Sequence, residues 1–341
     1  MPNRFDELTH WLRQDVGLAT FEIAPASSDA SFRRYFRVQH AGQSHIVMDA
    51  PPDKENCRPF VNVAHAFHER GLHVPQVLHA NLERGFLLLT DLGSRQYLDE
   101  LSTPSVNSTA NKNADQLYGD ALDTLQRLQR PGAPNNGLLP PYDLPLLMRE
   151  MALFRDWFMA QHLGIAADAT TVVTLDHTFN LLAQAALEQP QVWVHRDYHS
   201  RNLMVTEQHN PGVLDFQDAV IGPITYDLVS LLRDCYIAWP GERVEGWVAK
   251  YHTQATQAGI LTNVSLPQFL RWFDLMGVQR HLKAIGIFAR LNIRDGKPGY
   301  LKDIPRTLGY VLDVSSRHPE LAGFNRFLQD NIVPHMEERV P

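Results

Sequence analysis

Apolar residues near the start of the chain recur at helical spacing, and Phe5, Leu8, Trp11 and Leu12 share one face. Three short segments of strand character follow at 19–25, 31–38 and 44–50, and the sequence His-Ala-Gly-Gln between the last two predicts a hairpin turn. A helical pattern over 54–70 stops at Gly71, and two further strands are predicted at 76–80 and 85–92. This part of the chain therefore predicts five strands with one helix inserted among them.

Beyond residue 114 the pattern becomes mostly helical, with apolar faces over 117–129, 144–163 and 172–188. Short strands interrupt it around 192–197, 202–205 and 212–216, and the remainder of the chain returns to helices. The polar segment 102–116 has no periodicity and predicts an exposed loop. We therefore predict an α+β chain with two lobes and a ligand cleft. The small β-rich lobe spans 1–93 with a hinge near 90–93, and the mainly helical lobe spans 94–341.

The composition narrows the class of partner. The chain has 341 residues, and its 31 basic residues against 38 acidic ones give a formal charge of −7, which argues against a general affinity for nucleic acid or an anionic membrane. Its two cysteines, Cys57 and Cys235, are too few for a disulfide framework and are predicted to be buried thiols. Neither a signal peptide nor a long apolar run is evident, so we expect a cytoplasmic protein with a small-molecule substrate and no obligate protein partner.

The stretch Val-His-Arg-Asp-Tyr-His-Ser-Arg-Asn-Leu, at 194–203, concentrates polar side chains between two apolar segments. His195, Asp197 and Asn202 have the spacing H-x-D-x-x-x-x-N, and Asp215 ends the next apolar run. A loop held by a strand at each end can fix a carboxylate accurately enough for proton transfer. Aspartate and asparagine oxygens are suitable ligands for Mg²⁺, with nucleotide phosphates supplying others.

This spacing, together with the downstream pattern D-x(6)-G-x(4)-D-L that ends at Asp227, resembles the kinase-like phosphotransferases, in the branch with aminoglycoside phosphotransferases and choline kinases. The resemblance implies a protein-kinase-like fold with ATP and Mg²⁺ as cofactors. It implies that Asp197 accepts the proton of the attacking hydroxyl and that Asn202 and Asp215 hold Mg²⁺. His195 and Asp227 would be structural.

Five segments together are similar to a narrower family, the bacterial anomeric kinases of N-acetylmuramate and N-acetylglucosamine. They are SSDASFRRYFRV, IVMDAPP, LLLTDLG, WVHRDYHSRNLM and GVLDFQDAVIGPITYDLVSLLRD. This resemblance implies ATP-dependent phosphorylation of the anomeric hydroxyl to the α-1-phosphate, in the recycling of cell-wall sugars.

The phosphate-binding elements depart from the general kinase pattern. The first hairpin carries serines in place of glycines, and the third strand has Asp49 where a lysine is expected. Because an acidic residue cannot neutralise phosphates, Arg33 and Arg34 are the nearest replacements, unless they are exposed strand residues. Ser28 and Ser31 are predicted to offer hydroxyls or backbone amides to the phosphates.

Two further ligand regions are predicted with structural alternatives beside them. Thr90, Asp91 and Leu92 would contact the adenine, although an ordinary strand ending in a turn fits equally well. Basic residues outnumber acidic ones by seven to two between Gly277 and Arg306, which suggests attraction of a lactyl carboxylate or of the transferred phosphoryl group, or else a solvated helix face. The acceptor-pocket candidates are His199, Arg201, Arg280, Lys283, Arg290 and Arg294.

Two rival functions remain open from the sequence. One keeps the fold and changes the acceptor to an aminoglycoside, choline or homoserine. The other is a catalytically weak nucleotide-binding regulator, suggested by the missing third-strand lysine.

Overall fold

The computed structural model describes residues 3–28, 32–102, 108–132 and 137–339. The chain forms two compact units. The first comprises the chain up to Tyr97 together with Asn202–Asp218, and the second comprises Leu98–Arg201 with the chain from Ala219 onward. The first unit thus includes a short excursion of the chain from within the second.

The first unit is built on an antiparallel sheet of five strands in the order β1-β2-β3-β5-β4. Its elements are α1 (Arg4–Gln14), β1 (Glu22–Ser28), β2 (Arg34–His40), β3 (Gln43–Asp49), α2 (Cys57–Glu69), β4 (Val77–Asn81) and β5 (Phe86–Thr90), and the hairpin β7 (Leu203–Met204) and β8 (Gly212–Val213) completes it. The predicted five strands and inserted helix are confirmed.

Local sequence explains where these elements begin and end. Asn3 caps α1 by accepting a hydrogen bond from the backbone N–H of Phe5, and the apolar face predicted for this helix is buried against the sheet. The turn between β2 and β3 places Ala41 and Gly42 at positive φ, as a tight hairpin requires.

The second unit is mainly helical. Its elements are α3 (Tyr97–Ser102, starting at the last residue of the first unit), α4 (Ser108–Gln129), α5 (Leu144–Leu153), α6 (Ala169–Leu187), β6 (Gln191–Val194), β9 (Val220–Pro223), α7 (Tyr226–Leu232), α8 (Gly241–Gln257), α9 (Leu266–Asp295), α10 (Ile304–Arg317), α11 (Ala322–Phe327) and α12 (Val333–Arg339). A π-helical segment, Phe154–Leu163, continues α5, and β6 pairs with β9 in an antiparallel ribbon.

The loop predicted over 102–116 is wrong from Ser108 onward, where α4 begins. The buried face of α4 starts at Ala114 and continues through Leu117 and Tyr118, so its polar first turns extend a helix that is held by burial further along. Residues 103–107 of the predicted loop lie outside the described residues.

The longest helix of the described chain, α9, runs through the centre of the second unit and packs against α5, α6, α7 and α10. Ser265 caps its start and Gly296, at positive φ, ends it. A Cβ added at Gly286 would lie 2.3 Å from the carbonyl carbon of Leu153, so only glycine permits α9 to approach α5 this closely. This contact brings the middle of α9 against the helix that carries Glu150.

Two simpler expectations concern the thiols and membrane segments. Cys57 and Cys235 are both buried free thiols, as predicted. Among the described helices, none combines the length and apolar character needed to cross a membrane.

Candidate active site

Asp227, at the first turn of α7, holds the backbone of the polar loop that follows β6. Its carboxylate accepts hydrogen bonds from the backbone N–H of His195 at 2.6 Å and of Arg196 at 2.9 Å. Arg196 has a φ of 78°, a strained value for a residue with a side chain, and these hydrogen bonds fix it there. Burial raises the pKa of Asp227 to about 7.

The His195 ring is fully buried, and its Nδ1 accepts from the backbone N–H of Asp197 at 3.2 Å.

Asp197 lines a cavity of about 110 Å³ within the second unit. The other lining side chains that matter for charge are Arg196, His199, Arg280 and Lys283, while Tyr226, Tyr236, Ile287 and Phe288 supply aromatic and apolar walls. Burial raises the pKa of Asp197, but Lys283, His199 and Arg196 outweigh it, and the net pKa lies below its ordinary value. The carboxylate is therefore ionised at neutral pH and can accept a proton.

Glu150, on α5, neutralises two of the cations that line this cavity. Its Oε1 lies 3.2 Å from the Lys283 Nζ and also pairs with the Arg196 guanidinium, while Tyr142 donates to Oε2. Burial raises the pKa of Glu150, but the charges of Lys283 and Arg196 lower it more, so the glutamate is ionised. Lys283 also donates to the Tyr226 hydroxyl at 2.9 Å. The network holds Lys283 beside Asp197 in one orientation.

His199 and Arg201 both contact the ring of Tyr236. The His199 ring meets the Tyr236 ring edge-on at 5.3 Å, and the Arg201 guanidinium lies 4.0 Å from the Tyr236 centroid. Burial lowers the pKa of His199, so its imidazole is neutral at pH 7, and its buried Nδ1 has no hydrogen-bond partner within the described chain. Only His199 of this pair lines the cavity.

The four other predicted acceptor residues all lie on α9, but only two of them line the cavity. Arg280 and Lys283 are buried and line the cavity, which contradicts a solvated helix face for these two. Arg290 is half-buried outside the lining, and Arg294 is exposed and donates to its neighbour Asp295. The structure therefore brings two of these four cations to Asp197 and leaves the other two elsewhere on the helix.

Asn202 and Asp215 lie in the first unit, at the ends of β7 and β8. The Asn202 Nδ2 is 3.4 Å from the Asp215 Oδ2, and Gln217 donates to Oδ1 at 2.7 Å. Asp215 has a φ of 62°, and the following residue, Phe216, is buried against Phe60 of α2. One carboxylate and one amide oxygen fit Mg²⁺, which keeps waters and phosphate oxygens as its other ligands. No cluster of three His, Cys, Asp or Glu that could hold a metal occurs in the described ranges, so a site built wholly from such side chains is not seen there.

Asp49, which stands on β3 where a kinase-like lysine was expected, has a structural role. Its buried carboxylate accepts from the Arg4 Nε at 2.6 Å and from the Arg34 Nε at 3.0 Å, across the β2–β3 pairing. Arg33 is separate from this group and forms an ion pair with Glu55 at 3.0 Å, just before α2. Asp215 is close enough to Arg33 to act on its pKa. Of the two candidate arginines, Arg34 pairs with Asp49 inside the sheet, and Arg33 pairs with Glu55 and lies within electrostatic range of the predicted metal ligand Asp215.

The other predicted nucleotide contacts lie at strand ends of the first unit. Ser28 ends β1, while its side chain and all of Ser31 lie outside the described residues. Thr90 ends β5 and its hydroxyl accepts from the backbone N–H of Gln76, and Leu92 is buried. Asp91 accepts hydrogen bonds from Arg37, Ser44 and the Gly93 N–H. Adenine contacts by these residues stay predictions.

Sequence reasoning missed Glu150, Arg196 and Glu55. Glu150 lies on the same helical face as the apolar Leu147 and Met151. A charged residue in an otherwise apolar stripe could have been recognised from the sequence as a candidate for a buried ion pair. Arg196 adjoins Asp197 but had no visible partner, because its carboxylate is 46 residues away. Glu55 gave no signal, since it lies in a polar stretch ahead of α2.

Comparison with known proteins agrees with this geometry. The family model described as the phosphotransferase enzyme family matches residues 22–260. The chain is 47% identical over 337 residues to an N-acetylmuramate/N-acetylglucosamine kinase of Pseudomonas putida, covering 96% of both chains. It is 51% identical over 307 residues to the protein of that name from Pseudomonas aeruginosa, covering 90% of this chain and 88% of the relative.

A solved structure extends the likeness to the fold. The GDP complex of an aminoglycoside 2′-phosphotransferase superposes with a TM-score of 0.60 at 15% identity, over 93% of this chain and 99% of that one. The predicted α+β protein-kinase-like fold is therefore confirmed. The family match, the close relatives and the fold agree, and the chain belongs to the phosphotransferase enzyme family.

Proposed function

We propose that this protein transfers the γ-phosphoryl group of ATP to the anomeric hydroxyl of N-acetylmuramate and N-acetylglucosamine, giving their α-1-phosphates for cell-wall sugar recycling. Three relatives at 44–51% identity over most of the chain are named N-acetylmuramate/N-acetylglucosamine kinase, which supports these two sugars as acceptors. The observation that carries the proposal is the ionised Asp197 in a cavity lined by buried cations.

In the proposed reaction Asp197 orients the anomeric hydroxyl and accepts its proton as the sugar oxygen attacks the γ-phosphorus. A bond forms between that oxygen and the γ-phosphorus, and the bond from the γ-phosphorus to the β-bridging oxygen breaks to release ADP. Lys283 is fixed beside Asp197 by Glu150 and Tyr226, so it is positioned to stabilise negative charge that develops during transfer. Asp197 then returns its proton to solvent.

We assign Asn202 and Asp215 to Mg²⁺, through the Asn202 amide oxygen and the Asp215 carboxylate. When bound, this ion neutralises charge on the β and γ phosphates. Gln217 orients the Asp215 carboxylate, and the burial of Phe216 fixes the strained backbone on which Asp215 stands. His195 and Asp227 keep the loop of Asp197 in shape through the hydrogen bonds described above.

Arg33 is the residue we assign to the role left by the missing lysine. Its side chain is 11% exposed, its orientation is fixed by Glu55, and Asp215 acts on its pKa. A guanidinium presents two parallel donors to phosphate oxygens, so Arg33 can bind the triphosphate while retaining Glu55. Arg34 donates to Asp49, and we therefore assign it a structural role in the sheet.

The positive charges that line the cavity argue against the rival acceptors. Arg196, Arg280 and Lys283 place three cations against Glu150 and Asp197, and this environment disfavours cationic aminoglycosides or choline. Since the reaction consumes ATP, the cytoplasm is the compartment we propose.

A panel of acceptors tests the proposal. The purified protein is incubated with Mg-ATP and either N-acetylmuramate, N-acetylglucosamine, glucose, kanamycin or choline, and ADP release is followed. We expect turnover with the two N-acetylated sugars alone. Turnover with kanamycin or choline in their place would support the rival acceptor, and ATP binding without any ADP release would support the regulator.

A further inference from the structure

Arg280 is a buried cation that faces the cavity of Asp197 without a paired carboxylate. The residue is 6% exposed, and within the described chain its hydrogen bonding is limited to one bond from NH1 to the Cys235 Sγ at 3.7 Å. Across the described residues, no carboxylate lies within ion-pair distance of its guanidinium, although Asp234 and Asp197 are near enough to raise its pKa. The neighbouring buried cations differ, because Lys283 pairs with Glu150 and Arg233 pairs with Asp274 at 2.6 Å.

An unpaired buried charge is costly, so its retention at a cavity wall points to an anion that arrives with the ligand. A guanidinium suits a carboxylate in particular, because its planar fork donates two parallel hydrogen bonds to the two oxygens. A thiol such as that of Cys235 is a weak acceptor and leaves the rest of the fork available.

The position of Arg280 along α9 separates it from the reacting hydroxyl. Arg280, Lys283 and Ile287 line the cavity along one stripe of the helix, and Arg280 precedes Lys283 by about one turn, or ~5 Å. Lys283 is the strongest of the positive neighbours acting on Asp197, whereas Arg280 is not among the main ones. The cavity therefore presents one cation near the transferred group and another further along the wall.

N-acetylmuramate differs from N-acetylglucosamine by a lactyl ether with a carboxylate. That ether is attached two ring carbons from the anomeric carbon, next to the carbon that carries the acetamido group. A sugar with its anomeric hydroxyl at Asp197 must therefore place its lactyl group away from the reacting atoms. Along this stripe of α9, Arg280 is the cation placed to meet it.

We propose that Arg280 binds the lactyl carboxylate of N-acetylmuramate and so sets the preference of the enzyme between N-acetylmuramate and N-acetylglucosamine. This assignment rests on the proposed function.

Substitution tests the proposal by comparing the two sugars on the same variant. For Arg280→Gln we expect kcat/KM for N-acetylmuramate to fall about ten- to a hundredfold further than kcat/KM for N-acetylglucosamine, the range of a lost charge-assisted hydrogen bond. Arg280→Lys keeps the charge without the fork and should lie between that variant and the wild type. Arg271→Gln, at a partly exposed position of the same helix outside the cavity lining, is the control and should leave the ratio of the two sugars unchanged.

A change in the substrate gives a second test, whose main comparison uses the wild type alone. The methyl ester of N-acetylmuramate lacks the charge, so the wild type should use it about ten- to a hundredfold less well than the free acid, and Arg280→Gln should hardly distinguish the two. Equal use of acid and ester by the wild type would overturn the proposal, as would an equal loss on both sugars in Arg280→Gln. If the wild type phosphorylated neither sugar, the proposed function itself would fail.

Discussion

Removing the charge of Glu150 should destabilise the second unit strongly, and the substitution Glu150→Gln tests this. The Glu150 side chain is 6% exposed and holds Lys283, Arg196 and Tyr142. At the 3.2 Å separation from Lys283, an effective dielectric constant of about 20 gives a gross attraction of ~5 kcal/mol for this pair. Because the substitution leaves the buried Lys283 and the partly buried Arg196 without their counter-charge, we expect the free energy of unfolding to fall by ~3–5 kcal/mol.

The matched control is Glu188→Gln, on the C-terminal end of α6. Glu188 also accepts from an arginine, Arg271 at 3.4 Å, but its side chain is 49% exposed. An exposed pair of this kind contributes less than about 1 kcal/mol. Urea denaturation followed by circular dichroism gives both values. If the two variants lost the same stability, or if Glu150→Gln stayed within ~1 kcal/mol of the wild type, the buried charge network would be refuted.

Three further predictions concern the catalytic base, the phosphate cation and pH. Asp197→Asn should lower kcat by about 10²–10⁴ with little change in the ATP dissociation constant measured by calorimetry, and a parallel loss of ATP affinity would assign Asp197 to nucleotide binding. Arg33→Gln should weaken ATP binding by about tenfold or more, whereas Arg34→Gln should mainly lower the free energy of unfolding, and equal losses of ATP affinity in both would contradict the assignment. Burial lowers the pKa of His281 to about 3 in the folded protein. As the pH falls below ~6.5, the imidazole therefore takes up a proton in the unfolded chain but not in the folded one. This proton uptake favours the unfolded chain, so the protein loses stability as the pH falls from ~6.5 toward 3. The wild type should therefore lose about 1.4 kcal/mol per pH unit more than His281→Gln within that window, and parallel pH curves for the two would count against a neutral buried ring.

The sequence predicted those parts of the protein whose signals are local. The five strands with one inserted helix, the end of that helix at Gly71 and the turn at Ala41 and Gly42 depend on residues close in the chain. The loop of Asp197 could be predicted for the same reason. Asp197, Asn202 and Asp215 form a short sequence pattern that lies between apolar segments.

The acceptor cavity was less predictable because its charges are balanced over long separations. Glu150 and Arg196, for example, are 46 residues apart. The charged residues of α9 were also misleading, since Arg280 and Lys283 belong to a helix that is buried nearly all round and has no polar face in its middle. Helical periodicity alone cannot separate a buried, paired cation from a solvated one in that setting.

The position of the phosphate on the product tests the central claim most directly. The wild-type protein is incubated with Mg-ATP and N-acetylglucosamine, and the product is analysed by proton and phosphorus NMR. We predict a single phosphate coupled to the anomeric proton in the α configuration, released together with ADP. A phosphate on any other hydroxyl, or consumption of ATP without a sugar phosphate, would contradict the assignment of this enzyme as an anomeric kinase.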